Sequence, residues 1–444
     1  MAGAGRLKHL VTDELTQLSD EGKAIDIKFW REKIDALDFY DKEQLLDIYN
    51  QIINLPQRPD YPYTEPSELE EIFAESDIAS IPDDKYQNVD LDYFHGAWLG
   101  RCIGCALGQP CESWQSQKII DWYKNANKYP IKGYFPTVSG NQRNEGLATD
   151  ELIKGMPIDD DTRFTVLNYL LVKDKGVNFD SWDVGFHWLR KVPYHVIFTA
   201  EIQSYLNFVN VDECLYAVKP QNAAEILKRE KVSTYLNPYR EWIGAQIRAD
   251  AFGYLAAGMP KLAAKMAYTD AAFTHTKNGI YGEMFFAALI AAAFTQKDFD
   301  KAFQTALAVI PKNSRFYKEA VWAKEIAESD IEREDLIKLL AERANKYHRV
   351  HTINNAAFCI AAMARYKTDF WEAVAFSVEC GLDTDCNGAT VGSVMGALLG
   401  ARAIPNFASA PLQDTFTVGV YPYDNYSITK FACEVKSLCD KLNQ

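Results

Sequence analysis

Gly381-Leu382-Asp383-Thr384-Asp385-Cys386-Asn387-Gly388-Ala389-Thr390-Val391-Gly392-Ser393-Val394-Met395-Gly396-Ala397-Leu398-Leu399-Gly400 is read as a turn running into a helix with glycine at every fourth position. At 3.6 residues per turn, that spacing puts the glycines on one face, where a second backbone can approach closely. The Asp-x-Asp at the start sets hard oxygen ligands near the positive end of the helix, as a buried metal site requires.

A second ladder, Gly96, Gly100, Gly104 and Gly108, repeats the spacing between His95 and Glu112. Each interior glycine costs on the order of 1 kcal/mol relative to alanine, so something must sit close to both ladders. Tight helix packing accounts for the glycines. It does not account for the carboxylates that border them, Glu112 after the first ladder and Asp383 and Asp385 before the second. Between the ladders, Asp159-Asp160-Asp161-Thr162 follows the apolar Met156-Pro157-Ile158 and opens an amphipathic segment. Asp and Thr suit a helix N-terminus. Three adjacent carboxylates exceed what a cap needs and repel one another unless a cation or strong donors offset them.

Helical patterns dominate from Leu91 onward: 94–107, 162–172, 245–255, 259–267, 282–294, 354–364, 370–379 and 390–401. Period-two runs are nearly absent, and Thr415-Phe416-Thr417-Val418 is the best of them. The expected fold is therefore all-α, a domain of many helices over residues 89–444 packed closely around a centre. Residues 1–88 read as an N-terminal helical extension and linker, with Phe29, Ile34, Leu37, Leu45, Leu46, Ile48 and Ile52 in helical register before a breaker zone at Pro56, Pro59, Pro62 and Pro66. Nothing in that extension suggests chemistry.

The 444 residues carry a formal charge of -14 and no Lys/Arg cluster, which argues against a nucleic-acid partner. An anionic ligand would need a metal to bridge it to the protein. The nine cysteines are odd in number and scattered, as in reduced thiols rather than a disulfide framework. The N-terminus lacks an apolar segment of signal-peptide length, and the apolar run from Met284 to Phe294 is too short to span a bilayer. A soluble cytoplasmic protein with no membrane partner is expected.

Taken in order, these motifs resemble those of the ADP-ribosylglycohydrolase family. Gly100 through Glu112 matches G-x-x-x-G-D-x-x-G-x-x-x-E in spacing, Asp159-Asp160-Asp161-Thr162 matches T-D-D-T, and Gly381 through Cys386 matches G-x-D-T-D-T. Gly244-Ala245-Gln246-Ile247-Arg248 resembles the G-A-M-R loop and Thr274-His275 the T-H pair after it, so the likeness runs from residue 91 to about 405. It implies a compact multi-helix, all-α domain with a central metal cleft and two divalent cations, Mg²⁺ or Mn²⁺, held by Asp160, Asp161, Asp383 and Asp385, with Asp159 and Cys386 at the remaining ligand positions.

Glu112, or one of Asp160 and Asp161, would then act as general base or position water at the anomeric carbon. Gly244, Gln246, Arg248 and His275 would bind substrate, and Trp242 could stack on a base or sugar. The implied ligand is ADP-ribose or an ADP-ribosylated substrate. The chain departs from the pattern at Cys105 for Asp, Asp159 for Thr and Cys386 for Thr. A thiol is a poor ligand for Mg²⁺ or Mn²⁺, so another glycoside or nucleoside as substrate, or a non-catalytic ADP-ribose-binding module, stands as the alternative.

Overall fold

The computed structural model describes residues 5–137, 148–210 and 219–442. Among them the fold is all-α, and the strands are one two-residue pair, Thr415–Phe416 antiparallel to Tyr426–Ser427. At the centre lie the two glycine helices, Leu91–Gly108 and Thr384–Leu399, packed against each other in opposite directions. Gly96, Gly100 and Gly104 meet Gly396, Gly392 and Gly388, and Gly108 meets Thr384. A Cβ on Gly96 would lie 2.5 Å from the carbonyl oxygen of Gly396. Each ladder is thus the partner the other requires.

The second glycine helix starts at Thr384, six residues before the expected 390, so Asp385 sits in its first turn. It stops at Leu399 because Gly400 turns to φ 82°. The expected helix over 245–255 is divided into a 3-10 turn, Gln246–Arg248, and a short α-helix, Asp250–Leu255. That turn lets the Arg248 side chain fold back on the Gly244 carbonyl, 3.0 Å away. The Met284–Phe294 run belongs to a 20-residue helix, Lys277–Gln296, long and apolar enough to cross a membrane but enclosed by protein.

Three N-terminal helices, Gly5–Asp20, Ile27–Asp35 and Lys42–Ile53, bury Leu10, Leu15, Ile34, Leu45 and Ile52 in a small core of their own, closed by Leu236. Further along, Ile72, Ile81 and Val89 join the main core. The first helix is fastened to the body by buried charge: Arg240 lies 2.7 Å from both Glu14 and Glu21, and Lys277 lies 2.8 Å from Glu21. Removing one partner of such a set strands the others without water. Arg240→Met is accordingly expected to cost about 3–5 kcal/mol, read by urea denaturation; a loss below about 1 kcal/mol would show that the anchor carries no weight.

Candidate metal centre

Chain segments far apart in sequence bring carboxylates to one cleft of about 810 Å³, lined by Glu112, Asp160, Asp161, Asp383 and Asp385. The first glycine helix runs through a short turn, Gln109–Cys111, into Glu112. That turn is stitched to the Asp383 turn: Ser113 N–H donates to the Leu382 carbonyl at 2.7 Å, and Leu382 N–H donates to that of Trp114 at 3.0 Å. Gly381 and Leu382 take left-handed backbone, φ 83° and 67°, to make this reversal. A Cβ on Gly381 would stand 2.6 Å from the Trp114 carbonyl oxygen, so glycine is required there. Thr384 Oγ1 donates to the Gly108 carbonyl at 2.8 Å, and Asn355 Oδ1 accepts from Asn387 Nδ2 at 2.9 Å, fixing the helix start.

Glu112, Asp383 and Asp385 present carboxylate oxygens within 4.8 Å of one another, and Cys105, Asp159 and Asp161 form a second group of the same tightness. Burial and mutual repulsion raise Asp160, Asp161 and Asp385 well above the ordinary carboxylate value and raise Asp383 as well. Burial, then Asp383 and Asp159, push Glu112 up to about 7. Asp385 Oδ1 is buried with no hydrogen-bond partner. Convergent oxygen donors with an orphaned buried carboxylate oxygen suit a hard divalent cation, which would relieve both repulsion and desolvation.

The Asp159–Asp161 run opens the helix Asp160–Lys175, as its composition suggests, but the three acids have different tasks. Asp159 is the N-cap: Oδ1 accepts from Asp161 N–H at 3.0 Å, while Oδ2 accepts from Gln109 Nε2 at 2.8 Å. Both oxygens carry a hydrogen bond, whereas Asp385 Oδ1 has none, so Asp159 caps the helix while standing in the group with Cys105 and Asp161. The Asp161 main chain is gripped by the fully buried Arg101, which donates to its carbonyl at 2.8 Å and pairs with Asp250 at 2.7 Å. Cys386 lines the cleft but belongs to neither carboxylate group. Burial and the nearby Asp161 and Asp383 hold its thiol protonated, as burial and Asp159 hold that of Cys105, so neither offers a thiolate.

Of the residues expected to bind substrate, Gly244 lines the cleft, whereas Gln246, Arg248 and His275 are fully buried outside its lining. This corrects their expected placement. Arg248 is spent on Glu201 at 2.6 Å and on Asp270, and it donates to Thr274 Oγ1 at 2.9 Å. His275 Nδ1 lies 2.6 Å from that same hydroxyl, and Gln246 Oε1 accepts from Thr352 at 3.0 Å. They brace the Gly244 loop from behind: a Cβ on Gly244 would collide with the Glu201 carboxylate. Trp242 does line the cleft, but it is already stacked on His348 at 4.1 Å and packed against Tyr239 at 4.6 Å.

Tyr239, His348 and Arg349 also line the cleft, as do Arg6, His9 and Asp13 of the helix Gly5–Asp20, none of them marked by a motif in the sequence. In that helix the polar cleft residues recur at helical spacing, a signal indistinguishable from an ordinary solvated face.

Residues 87–442 match the profile of the family described as ADP-ribosylglycohydrolase. A solved structure titled "ADP-ribosylglycohydrolase-related protein complex" is similar at 17% identity and a TM-score of 0.46, covering 80% of this chain and 99% of that one. No curated protein matches the chain.

Proposed function

The chain belongs to the ADP-ribosylglycohydrolase family, and on that premise we propose that it is a metal-dependent hydrolase cleaving an N- or O-glycosidic bond to ADP-ribose, so releasing ADP-ribose from a modified acceptor. The observation that carries this reading is the convergence of Glu112, Asp160, Asp161, Asp383 and Asp385 on one cleft, with a buried Asp385 oxygen left without a partner. Asp160, Asp161, Asp383 and Asp385 would hold the cations, Mg²⁺ or Mn²⁺. Bound there, such ions supply charge neutralisation at the ribose hydroxyls and a more acidic water.

Glu112 sits at the rim of this group, on the turn tied to Asp383. With its carboxyl pushed up to about 7, it can hold or accept a proton near neutral pH, as a general acid or base at the scissile bond must. Arg101 and Asn355 fix the backbone of Asp161 and the start of the Asp383 helix, so the acids keep their aim. Arg248, from behind the Gly244 loop, fixes the adjoining wall. The net charge of -14 supports a small-molecule or protein-borne ligand over a nucleic-acid surface, and the scattered cysteines support a cytoplasmic setting.

The test is release of free ADP-ribose from N-linked and O-linked ADP-ribosylated peptides with Mg²⁺ or Mn²⁺, read by chromatography. Glu112→Gln is expected to lower kcat by about 10²–10⁴-fold with the cation-dependent rise in Tm retained. Wild type that releases no ADP-ribose from either linkage sinks the reading. The thiols at 105 and 386 favour a second reading, in which the same centre acts on another glycoside; release of sugar from a nucleoside or aryl riboside, and none from the peptides, is its signature.

A further inference from the structure

The helix Gly5–Asp20 lies outside the residues matched to the family, yet Arg6, His9, Asp13, Thr16, Gln17 and Asp20 line the same cleft as the carboxylate centre. Arg6, His9, Asp13, Thr16 and Asp20 recur at intervals of three and four and so share one face, with Gln17 at its edge. The helix is held down by Glu14, and by Glu21 just past its end, on Arg240, and by Gln17 donating to Glu241 at 2.8 Å. A rigidly fastened helix with a polar face turned into a cavity is built to touch what fills it.

We propose that this helix is the distal wall of the cleft and determines specificity by recognising an uncharged, hydrogen-bond-donor-rich part of the substrate, such as sugar hydroxyls or an exocyclic amine. The proposal rests on the functional reading above for the identity of the reacting bond. The chemistry of the wall sets the class. Its one guanidinium, Arg6, is turned toward Gln203 at 2.6 Å and Tyr194 Oη at 3.4 Å. Asp13 accepts from Tyr239 at 3.0 Å and lies 3.2 Å from His9, and the half-buried Asp20 adds a second carboxylate. A phosphate placed against Asp13 would meet like charge, whereas hydroxyl or amine donors meet acceptor oxygens on Asp13 and Asp20.

The full chain is titrated calorimetrically with ADP-ribose in Mg²⁺, and Mn²⁺ binding is measured separately by electron paramagnetic resonance. Thr16 is exposed, so Thr16→Trp fills the cleft from the wall side without entering the core. It is expected to weaken ADP-ribose by at least about tenfold with Mn²⁺ affinity unchanged, and to slow extraction of bound Mn²⁺ by EDTA. Asp13→Asn is expected to weaken ADP-ribose by about tenfold, the size of one charge-assisted hydrogen bond. Wild-type affinity in both variants overturns the wall and leaves the functional reading standing. Absence of ADP-ribose affinity in wild type removes that reading instead. The wall then stands if Thr16→Trp still slows Mn²⁺ extraction and falls if the rates are equal.

Discussion

Gly104→Val is expected to give no folded protein, and Gly104→Ala to lose about 3 kcal/mol. The added Cβ would fall inside the carbonyl oxygen and carbon of Gly388, which are main-chain atoms of a helix buried along nearly its whole length. A side-chain neighbour could rotate away; a helix backbone moves only by parting the two central helices, and those carry the Glu112 and Asp383 turns at their ends. Alanine's better helix propensity returns only about 1 kcal/mol. Urea denaturation followed by circular dichroism measures the loss, with Gly133→Ala as control, since a Cβ there meets nothing within 4 Å. Wild-type stability in Gly104→Ala would mean that the glycine helices do not share this register.

Asp385→Asn is expected to abolish cation-dependent hydrolysis, by about 10³-fold or more in kcat, while making the metal-free protein more stable. The two effects have one cause. In metal-free protein burial, followed by repulsion from Asp159, Asp383 and Glu112, raises the pKa of this carboxyl well above the ordinary 3.8. A carboxyl with a raised folded-state pKa favours folding most at pH below its unfolded value, and that advantage is lost as pH rises through the folded value. Metal-free wild type should therefore lose stability on going from about pH 4 toward neutrality at this site, and the amide variant should lose less. Saturating Mg²⁺ or Mn²⁺ reverses the sign for wild type, because the cation binds the ionised form, and its increment in Tm should grow with pH. Differential scanning calorimetry at pH 5 and 7.5, with and without Mn²⁺, checks both; an equal Mn²⁺ increment in Asp385→Asn and wild type would remove Asp385 from the ligand set.

Much of this was legible in the residues. The two ladders announced a close backbone contact because glycine's cost in a helix needs a reason, and Glu112 and Asp383 could be placed beside it because each borders a ladder. The Asp159–Asp161 run was ambiguous for a physical reason: the same carboxylate serves as a cap or as a ligand, and only Gln109, 50 residues away, settles that Asp159 has both oxygens engaged. Arg248 and His275 were misplaced because a motif fixes neighbours along the chain, not which side of the loop faces the cleft. The partners of Arg248, namely Glu201, Asp270 and Thr274, lie at separations that no local pattern encodes.

By itself the sequence determined an all-α chain with two closely packed glycine helices and three acidic turns, because helical period, glycine cost and carboxylate chemistry act over a few residues. The tertiary structure decided what faces what. It gathered the turns into one cleft, drew Gln246, Arg248 and His275 behind the Gly244 wall, and brought the helix Gly5–Asp20 onto the cleft through Arg240 and Lys277, more than 200 residues distant. A polar helical face looks the same in sequence whether it meets water or a binding site, and only the packing of its opposite face decides which.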